Sequence, residues 1–297
     1  MSFVATLICN PVNPALDSTI VDGARAVLPS PGSAQWLFDE VAVDIPFEGH
    51  DDIKAIEHRL REARGDLPVD IVVQPRAFRR KKLFLADMDS TMIGQECIDE
   101  LADFAGLKAH VAGITERAMR GEIEYDQSLR ERLALLKGLD ESALQRVYDE
   151  RLQLSPGAET LLAAARAAGV RTLLVSGGFT FFTERLKPRL ALDYTAANTL
   201  EVADGKLTGR VLGDIVDAQG KADRLNQVRL QLNLDKQQVI AMGDGANDLK
   251  MMAEAGVSIA YRAKPVVRAQ ASYALNQVGL DGVIPLLGGK RMLDGCR

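Results

Sequence analysis

Cysteine is scarce in this chain. Three of them, Cys9, Cys97 and Cys296, lie too far apart in 297 residues to build a disulfide framework or a metal cluster. Positive charge is in deficit too: 36 Lys and Arg stand against 41 Asp and Glu, a formal net charge of -5. That balance excludes a general field for nucleic acid or anionic lipid, so an anionic substrate must be met by a local site. No apolar run approaches the roughly 18 residues that a membrane span needs, which predicts no membrane contact. The opening "MSFVATLICNPVNP" has neither a basic n-region nor a small-residue cleavage site, so no signal peptide is expected. With 47% apolar and 26% charged residues, the chain reads as a globular, reduced, cytoplasmic enzyme.

What is present falls into two parts. Over residues 1–76 the hydrophobic period alternates between strand and helix. "FVATLIC" reads as a strand, and Leu16, Ile20, Ala24 and Val27 recur at helical spacing. A strand follows around Trp36 to Phe38, then "EVAVDIPF" with Val41, Val43 and Ile45 on one face. Ile53, Ile56, Leu60 and Ala63 form a second helical stripe, and "VDIVVQ" closes the unit. The order βαββαβ predicts a ferredoxin-like α+β domain. In topology it resembles the ACT family of amino-acid-binding regulatory domains. Such units often pair with a copy from another chain, which implies a homodimer and feedback by serine. The basic stretch "RAFRRKK", residues 76 to 82, carries only Phe78 as an aromatic and reads as a solvated linker rather than a polyanion patch.

From Leu83 the pattern becomes strand, long helical block, then alternating strand and helix. Ile98, Leu101, Ala102 and Ala105 form one helical stripe in the block and Leu129, Leu133 and Leu136 another. "SPGAETLLAAARAAG" predicts a helix with Ser155 as N-cap, Pro156 at the first position and Gly169 as the stop. "VRTLLVSGG" and "QQVIAMGDG" read as buried parallel strands, and "TLEVADGKLTG" as a hairpin on an Asp-Gly turn. The expected fold is a doubly wound, Rossmann-like parallel α/β sheet over 83–94 and 156–297. A helical cap, residues 95–155, is inserted after its first strand. In such sheets the ligand crevice lies beyond the carboxyl ends of the strands.

Those ends carry the chemistry. The first strand runs into Asp87, Met88, Asp89, Ser90 and Thr91, the second into Ser176, Gly177 and Gly178, and a later one into Gly243, Asp244, Gly245, Ala246, Asn247 and Asp248. Lys221 follows Gly220 at the head of a predicted helix. Carboxylates suit hard Mg²⁺, while a hydroxyl, glycine amides and an ammonium suit phosphate oxygens. One aspartate can attack phosphorus and the other can move protons. Singly, each feature has a plainer reading: DxD as loop chemistry, "SGG" as a turn, "GDGAND" as a tight turn or a calcium-like loop, Lys221 as a surface residue. Their joint occurrence at successive strand-to-helix junctions favours phosphoryl transfer.

"DMDST", "SGG", Lys221 and "GDGAND" resemble the four motifs of the haloacid dehalogenase superfamily of phosphohydrolases. Within it, "DMDSTMIGQECIDELA" and "ITERAMRGEIEYDQSLRERL" are similar to the phosphoserine phosphatases. The resemblance covers about residues 83 to 290. It implies Asp87 as nucleophile and Mg²⁺ ligand, and Asp89 as general acid/base lending its carbonyl to the metal. Asp244 is then a further metal ligand and Asp248 a support of the metal shell. Ser176, Gly177, Lys221 and Asn247 line the phosphate, with Gly178 beside them. Over the crevice, Glu96 would meet the substrate ammonium and Arg132 its carboxylate.

Arg132 has support of its own. It sits at the edge of the Leu129, Leu133 and Leu136 stripe, where a guanidinium needs an anionic partner, either a substrate or an ion pair within the protein. Glu96 rests on the resemblance, its plainer role being helix-dipole compensation. Tyr125 and Met88 stand where the family often has phenylalanine. The expected reaction is Mg²⁺-dependent hydrolysis of O-phospho-L-serine through an aspartyl-phosphate. The competing readings are a related phosphatase or phosphotransferase, for phosphothreonine or homoserine, and an amino-acid sensor with an inactive core.

Overall fold

The computed structural model describes residues 1–49, 52–119 and 122–288. Cys296, the last stretch of the expected 156–297 core, and Arg120 and Gly121 of the second motif lie outside the described residues. The N-terminal unit runs β1 (Ser2–Cys9), α1 (Ser18–Ala26), β2 (Gln35–Phe38), β3 (Ala42–Glu48), α2 (Ile53–Arg64) and β4 (Val69–Pro75). Its sheet order is β2-β3-β1-β4, with β1 antiparallel to both β3 and β4, the ferredoxin-like arrangement expected. Asp17 and Asp52 cap the two helices by accepting from Ile20 N and Lys54 N.

Strand alternation gives this sheet two different faces. Phe3, Ala5, Leu7, Val43, Ile45, Ile71 and Val73 pack against Val21 and Ala24 of α1 and Ile56 and Leu60 of α2. Ile8, Ala42 and Val72 point the other way and join the hydrophobic core of the remainder of the chain. Between them Thr6 donates to Asp44 at 2.7 Å, and both residues are buried. Asp70, at the rim, accepts from the backbone amides of Asn276 and Gln277, with burial pushing its carboxyl up to about 6.

This docking corrects the reading of "RAFRRKK" as a solvated linker at two positions, Arg79 and Lys81, while Arg76, Phe78 and Arg80 are exposed as expected. Arg79 is buried, 3.0 Å from both Asp44 carboxylate oxygens, and donates to Pro285 O at 2.5 Å. Lys81 is buried as well and donates to Gln237 O, and burial, with the charge of Arg79, lowers its ammonium to about 8. The basic side chains face inward because Asp44 and two backbone carbonyls from distant segments supply partners there. None of those partners is near in sequence.

The larger sheet begins at β5 (Leu83–Ala86). Four helices follow, α3 (Cys97–Phe104), α4 (Lys108–Met119), α5 (Tyr125–Leu135) and α6 (Ser142–Glu150), before α7 (Ala158–Ala167) returns the chain to the sheet. An isolated bridge between Ile93 and Leu154 joins the outgoing and returning segments. Then come β6 (Arg171–Phe179), α8 (Thr180–Arg189), β7 (Tyr194–Ala203), β8 (Lys206–Leu212), α9 (Ala218–Gln231), β9 (Val239–Gly243) and α10 (Leu249–Ala253). The chain closes with β10 (Val257–Tyr261), α11 (Pro265–Gln270), β11 (Tyr273–Leu275) and α12 (Ile284–Leu287).

The strands lie in the order β11-β10-β9-β5-β6-β7-β8, parallel except for β8. Leu83, Leu85, Leu173, Val239 and Ala241 face Leu225 and Met251, while Phe84, Ala86, Leu174, Ile240 and Met242 face the opposite way, towards Leu161 and Ala165. Burial on both faces is why these strands read as continuous apolar runs. The β7–β8 hairpin turns on Asp204 and Gly205, with φ of 51° and 71°, the positive angles its strand twist requires.

One boundary differs from expectation. Helix α7 starts at Ala158, and Gly157, at φ 80°, is its N-cap instead of Ser155. Ser155 and Pro156 are used otherwise: Ser155 N donates to Met92 O, and Pro156 O accepts from Leu280 N. The chain must reverse out of the four-helix insertion before it can enter the helix, and the left-handed Gly157 makes that reversal. Among the described residues no helix is long and apolar enough to cross a membrane.

Candidate active site

The paired aspartates sit where β5 leaves the sheet. Asp87 (φ -66°, ψ 159°) and Asp89 (φ -65°, ψ 137°) are both extended, and Met88 between them is fully buried. The chain then turns at Ser90, whose φ is 54°, and closes a wide loop through Met92 N to Asp87 O and Ile93 N to Met88 O. The loop also aims Thr91 across the crevice, where its hydroxyl donates to Asp244 Oδ1 at 3.0 Å.

At the floor, Lys221 Nζ donates to Asp87 Oδ2 at 2.6 Å and to Asp248 Oδ1 at 2.8 Å. All three residues are buried. Burial alone would lower the lysine, but Asp248 and Asp87 outweigh it and raise it, so it is a fixed cation. Asp87 is raised well above the usual carboxylate range, by burial first and by the charge of Asp248 second. Asp248 Oδ2 accepts from the amides of Asp244 and Gly245 and so holds the loop after β9. Gly243 must lack a side chain, because a Cβ there would collide with the Asp248 carboxylate.

Oxygens of Asp87, Asp244 and Asp248 lie within 4.8 Å of one another. Burial and the charge of Asp248 push Asp244 up to about 6. Three carboxylates against one ammonium leave two negative charges uncompensated, and the donors are hard oxygens. The set therefore suits a small divalent cation such as Mg²⁺.

Asp89 turns its carboxylate towards the other wall. Oδ1 accepts from Cys97 N at 3.1 Å, at the head of α3, and Oδ2 from Ser176 Oγ at 3.4 Å. Burial raises its pKa, and the bonds from Cys97 and Ser176 oppose that rise. Ser176 Oγ in turn accepts from Gly178 N at 2.8 Å, shaping the glycine turn at the end of β6. A Cβ on Gly178 would stand 2.6 Å from Asp89 Oδ2, and one on Gly177 would strike the Tyr125 hydroxyl.

The helical insertion supplies the roof. Tyr125, first residue of α5, donates from its hydroxyl to Gly177 O at 3.2 Å. Glu96, just before α3, accepts from Ser90 Oγ at 2.6 Å. Desolvation in the cleft, with the charge of Asp89 adding to it, raises its carboxyl to about 7. The charge of Arg132 pulls on Glu96, Asp99 and Tyr125 alike, so all three lie within its field. Its Nε donates to Ser128 O at 3.3 Å, and among the described residues it closes no ion pair. Asn247 is half-buried beside Asp248 on the β9 loop.

A model of the haloacid dehalogenase-like hydrolase family matches residues 84–253, more than half of the chain. The chain belongs to the haloacid dehalogenase-like hydrolases. Among them it groups with the phosphoserine phosphatases. The phosphoserine phosphatase of Polaromonas sp. is 55% identical over 211 residues, spanning 69% of this chain and 89% of the relative. That of Archaeoglobus fulgidus is 42% identical over 250 residues, 84% of this chain and 72% of its own length. In structure, a hydrolase of the family from Salmonella enterica serovar Typhi superposes with a TM-score of 0.86 at 31% identity, over 96% of this chain and 98% of its own.

The crevice of this hydrolase brings together Asp87 and Asp89 from the end of β5, Ser176, Gly177 and Gly178 from β6, Asp244 and Asp248 from the loop after β9, and Lys221 from the first turn of α9. Glu96, Arg132 and Tyr125 reach it from the insertion. Sequence reasoning gave no site role to Thr91, Asn198 and Cys97, which bond to Asp244, Gly177 and Asp89. Thr91 alone carried a signal, its place inside the DxDST run.

Proposed function

We propose that this hydrolase cleaves O-phospho-L-serine to L-serine and phosphate. The observation that carries the reading is the pairing of two unlike sites in one crevice. Its floor holds carboxylates and a buried ammonium for a phosphoryl group, and its roof sets Glu96 near Arg132. A carboxylate beside a guanidinium complements the ammonium and carboxylate of a free amino acid, with Arg132 offering a fork that matches the carboxylate. The identities of 55% and 42% to named phosphoserine phosphatases support the same substrate.

Asp87 attacks phosphorus, and the bond from phosphorus to the serine oxygen breaks while Asp89 gives its proton to that oxygen. Asp89, now a carboxylate, takes a proton from water. The water oxygen attacks phosphorus, and the bond to Asp87 breaks to release phosphate. Lys221 balances charge on the phosphoryl oxygens, with Ser176, the Gly177 amide and Asn247 as neutral donors. Asp87, Asp244 and the Asp89 carbonyl would hold Mg²⁺, with Asp248 keeping the β9 loop in place. Bound there, the ion supplies charge neutralisation and polarises the phosphoryl group. Tyr125, latched to Gly177, closes the roof over the phosphate and excludes bulk water.

A substrate panel with magnesium tests the reading. The expected order of kcat/KM is phosphoserine well above phosphothreonine, with sugar phosphates and transfer to homoserine at background. Comparable rates on a sugar phosphate would overturn it. Arg132→Ala should raise the KM for phosphoserine about ten- to a hundredfold by removing a charge-assisted carboxylate contact, while barely changing turnover of p-nitrophenyl phosphate. Equal losses on both substrates would place Arg132 in a structural role instead.

A further inference from the structure

Between β6 and β7 the parallel ladder is interrupted. It pairs Leu173 with Tyr194, Leu174 with Thr195 and Val175 with Ala196, then resumes only at Phe179 with Asn198. The missing rungs are Ser176, Gly177 and Gly178, the residues that swing out to wall the crevice. A bulge of this kind leaves backbone polar groups without ladder partners, and these must be satisfied in another way.

The Asn198 side chain takes their place. Only 1% exposed, it donates from Nδ2 to Gly177 O at 2.7 Å and accepts from Val216 N at Oδ1, also at 2.7 Å. Val216 immediately precedes Asp217, the N-cap of α9, whose carboxylate accepts from Gly220 N at 2.8 Å. Lys221 is the next residue. One carboxamide thus ties the glycine turn at the end of β6 to the start of the helix that carries the buried ammonium. The same carbonyl accepts from the Tyr125 hydroxyl at 3.2 Å, so its oxygen is satisfied from two sides.

We infer that Asn198 is a positioning residue for phosphate recognition, setting the glycine turn and Lys221 in mutual register without touching the substrate. This deepens the reading proposed above and rests on it for the location of the phosphate. An amide is the side chain suited to the task, since it offers a donor and an acceptor in one plane. Asn198→Asp keeps the acceptor for Val216 N but sets an oxygen against Gly177 O. Asn198→Ala removes both bonds.

The test is inhibition of the magnesium-loaded full-length enzyme by inorganic phosphate and, separately, by L-serine, with p-nitrophenyl phosphate as the reporter substrate. Both variants should weaken inhibition by phosphate about tenfold, with that by L-serine within twofold of the parent. If Asn198→Ala does not fold, Asn198→Asp decides. Phosphate inhibition within twofold of the parent in a folded variant would overturn the inference, and so would parallel weakening of both ligands. Should the parent enzyme ignore phosphoserine and L-serine, the substrate reading fails by itself. The phosphate measurement still reads the turn.

Discussion

Asp87→Asn is expected to lower phosphate release by about a thousandfold or more, with the folded structure retained. The amide is nearly isosteric but has one acceptor oxygen, which can keep the bond from Lys221 only by giving up the one from Met88 N, made at 2.7 Å by Asp87. What it lacks is the charge. An amide oxygen is a poor nucleophile towards phosphorus and a poor ligand for a divalent cation. Stability should move the other way or not at all. Lys221 keeps its bond to Asp248, and the repulsion that Asp248 and Asp89 exert on Asp87 is relieved. Single-turnover phosphate release and a thermal melt, taken on the same preparation, separate catalytic loss from structural loss. Turnover within tenfold of the parent would remove Asp87 as the nucleophile.

The largest effect on stability should come from Arg79→Ala. Arg79 and Asp44 are each about nine-tenths buried, 3.0 Å apart, and join the N-terminal sheet to the larger one through Pro285 O. Removing the guanidinium leaves the Asp44 carboxylate buried with Thr6 as its neutral donor. Breaking such a pair costs about 3 kcal/mol or somewhat more. Two guanidinium nitrogens, Nε and Nη1, have no partner among the described residues, so the intact pair is itself imperfect. An apolar double replacement, Arg79→Met with Asp44→Leu, should therefore recover much of the loss. Urea unfolding measures both variants, and limited proteolysis should cut near residues 76–82 faster in the single one. Equal stability of Arg79→Ala and the parent would show that the sheets are held together without this ion pair.

Much of this molecule was legible in local pattern. Alternation in β1, β3 and β4, continuous apolar runs in β5, β6 and β9, and helical stripes around Leu101 and Leu129 each report a period imposed by nearest neighbours along the chain. The paired aspartates were legible for a related reason. Charged residues at the end of an apolar strand are too costly to place there without partners, so their position advertises a site. The misreadings share a cause as well. Arg79 and Lys81 look solvated until Asp44, Pro285 and Gln237 are brought to them, and Ser155 looks like an N-cap until Met92 claims its amide.

The sequence by itself determined the layered α/β architecture, the ferredoxin-like unit before it, and the residue types gathered at the strand ends. These follow from side-chain polarity and spacing over a few residues. Only the tertiary structure decided which carboxylates share an ammonium, that Asp89 faces Ser176 and Cys97 rather than Lys221, and that Tyr125 and Asn198 grip one carbonyl. Those outcomes depend on the angle at which separate segments meet. Each of these hydrogen bonds is made or lost within a few tenths of an ångström, a precision that periodicity along a chain does not carry.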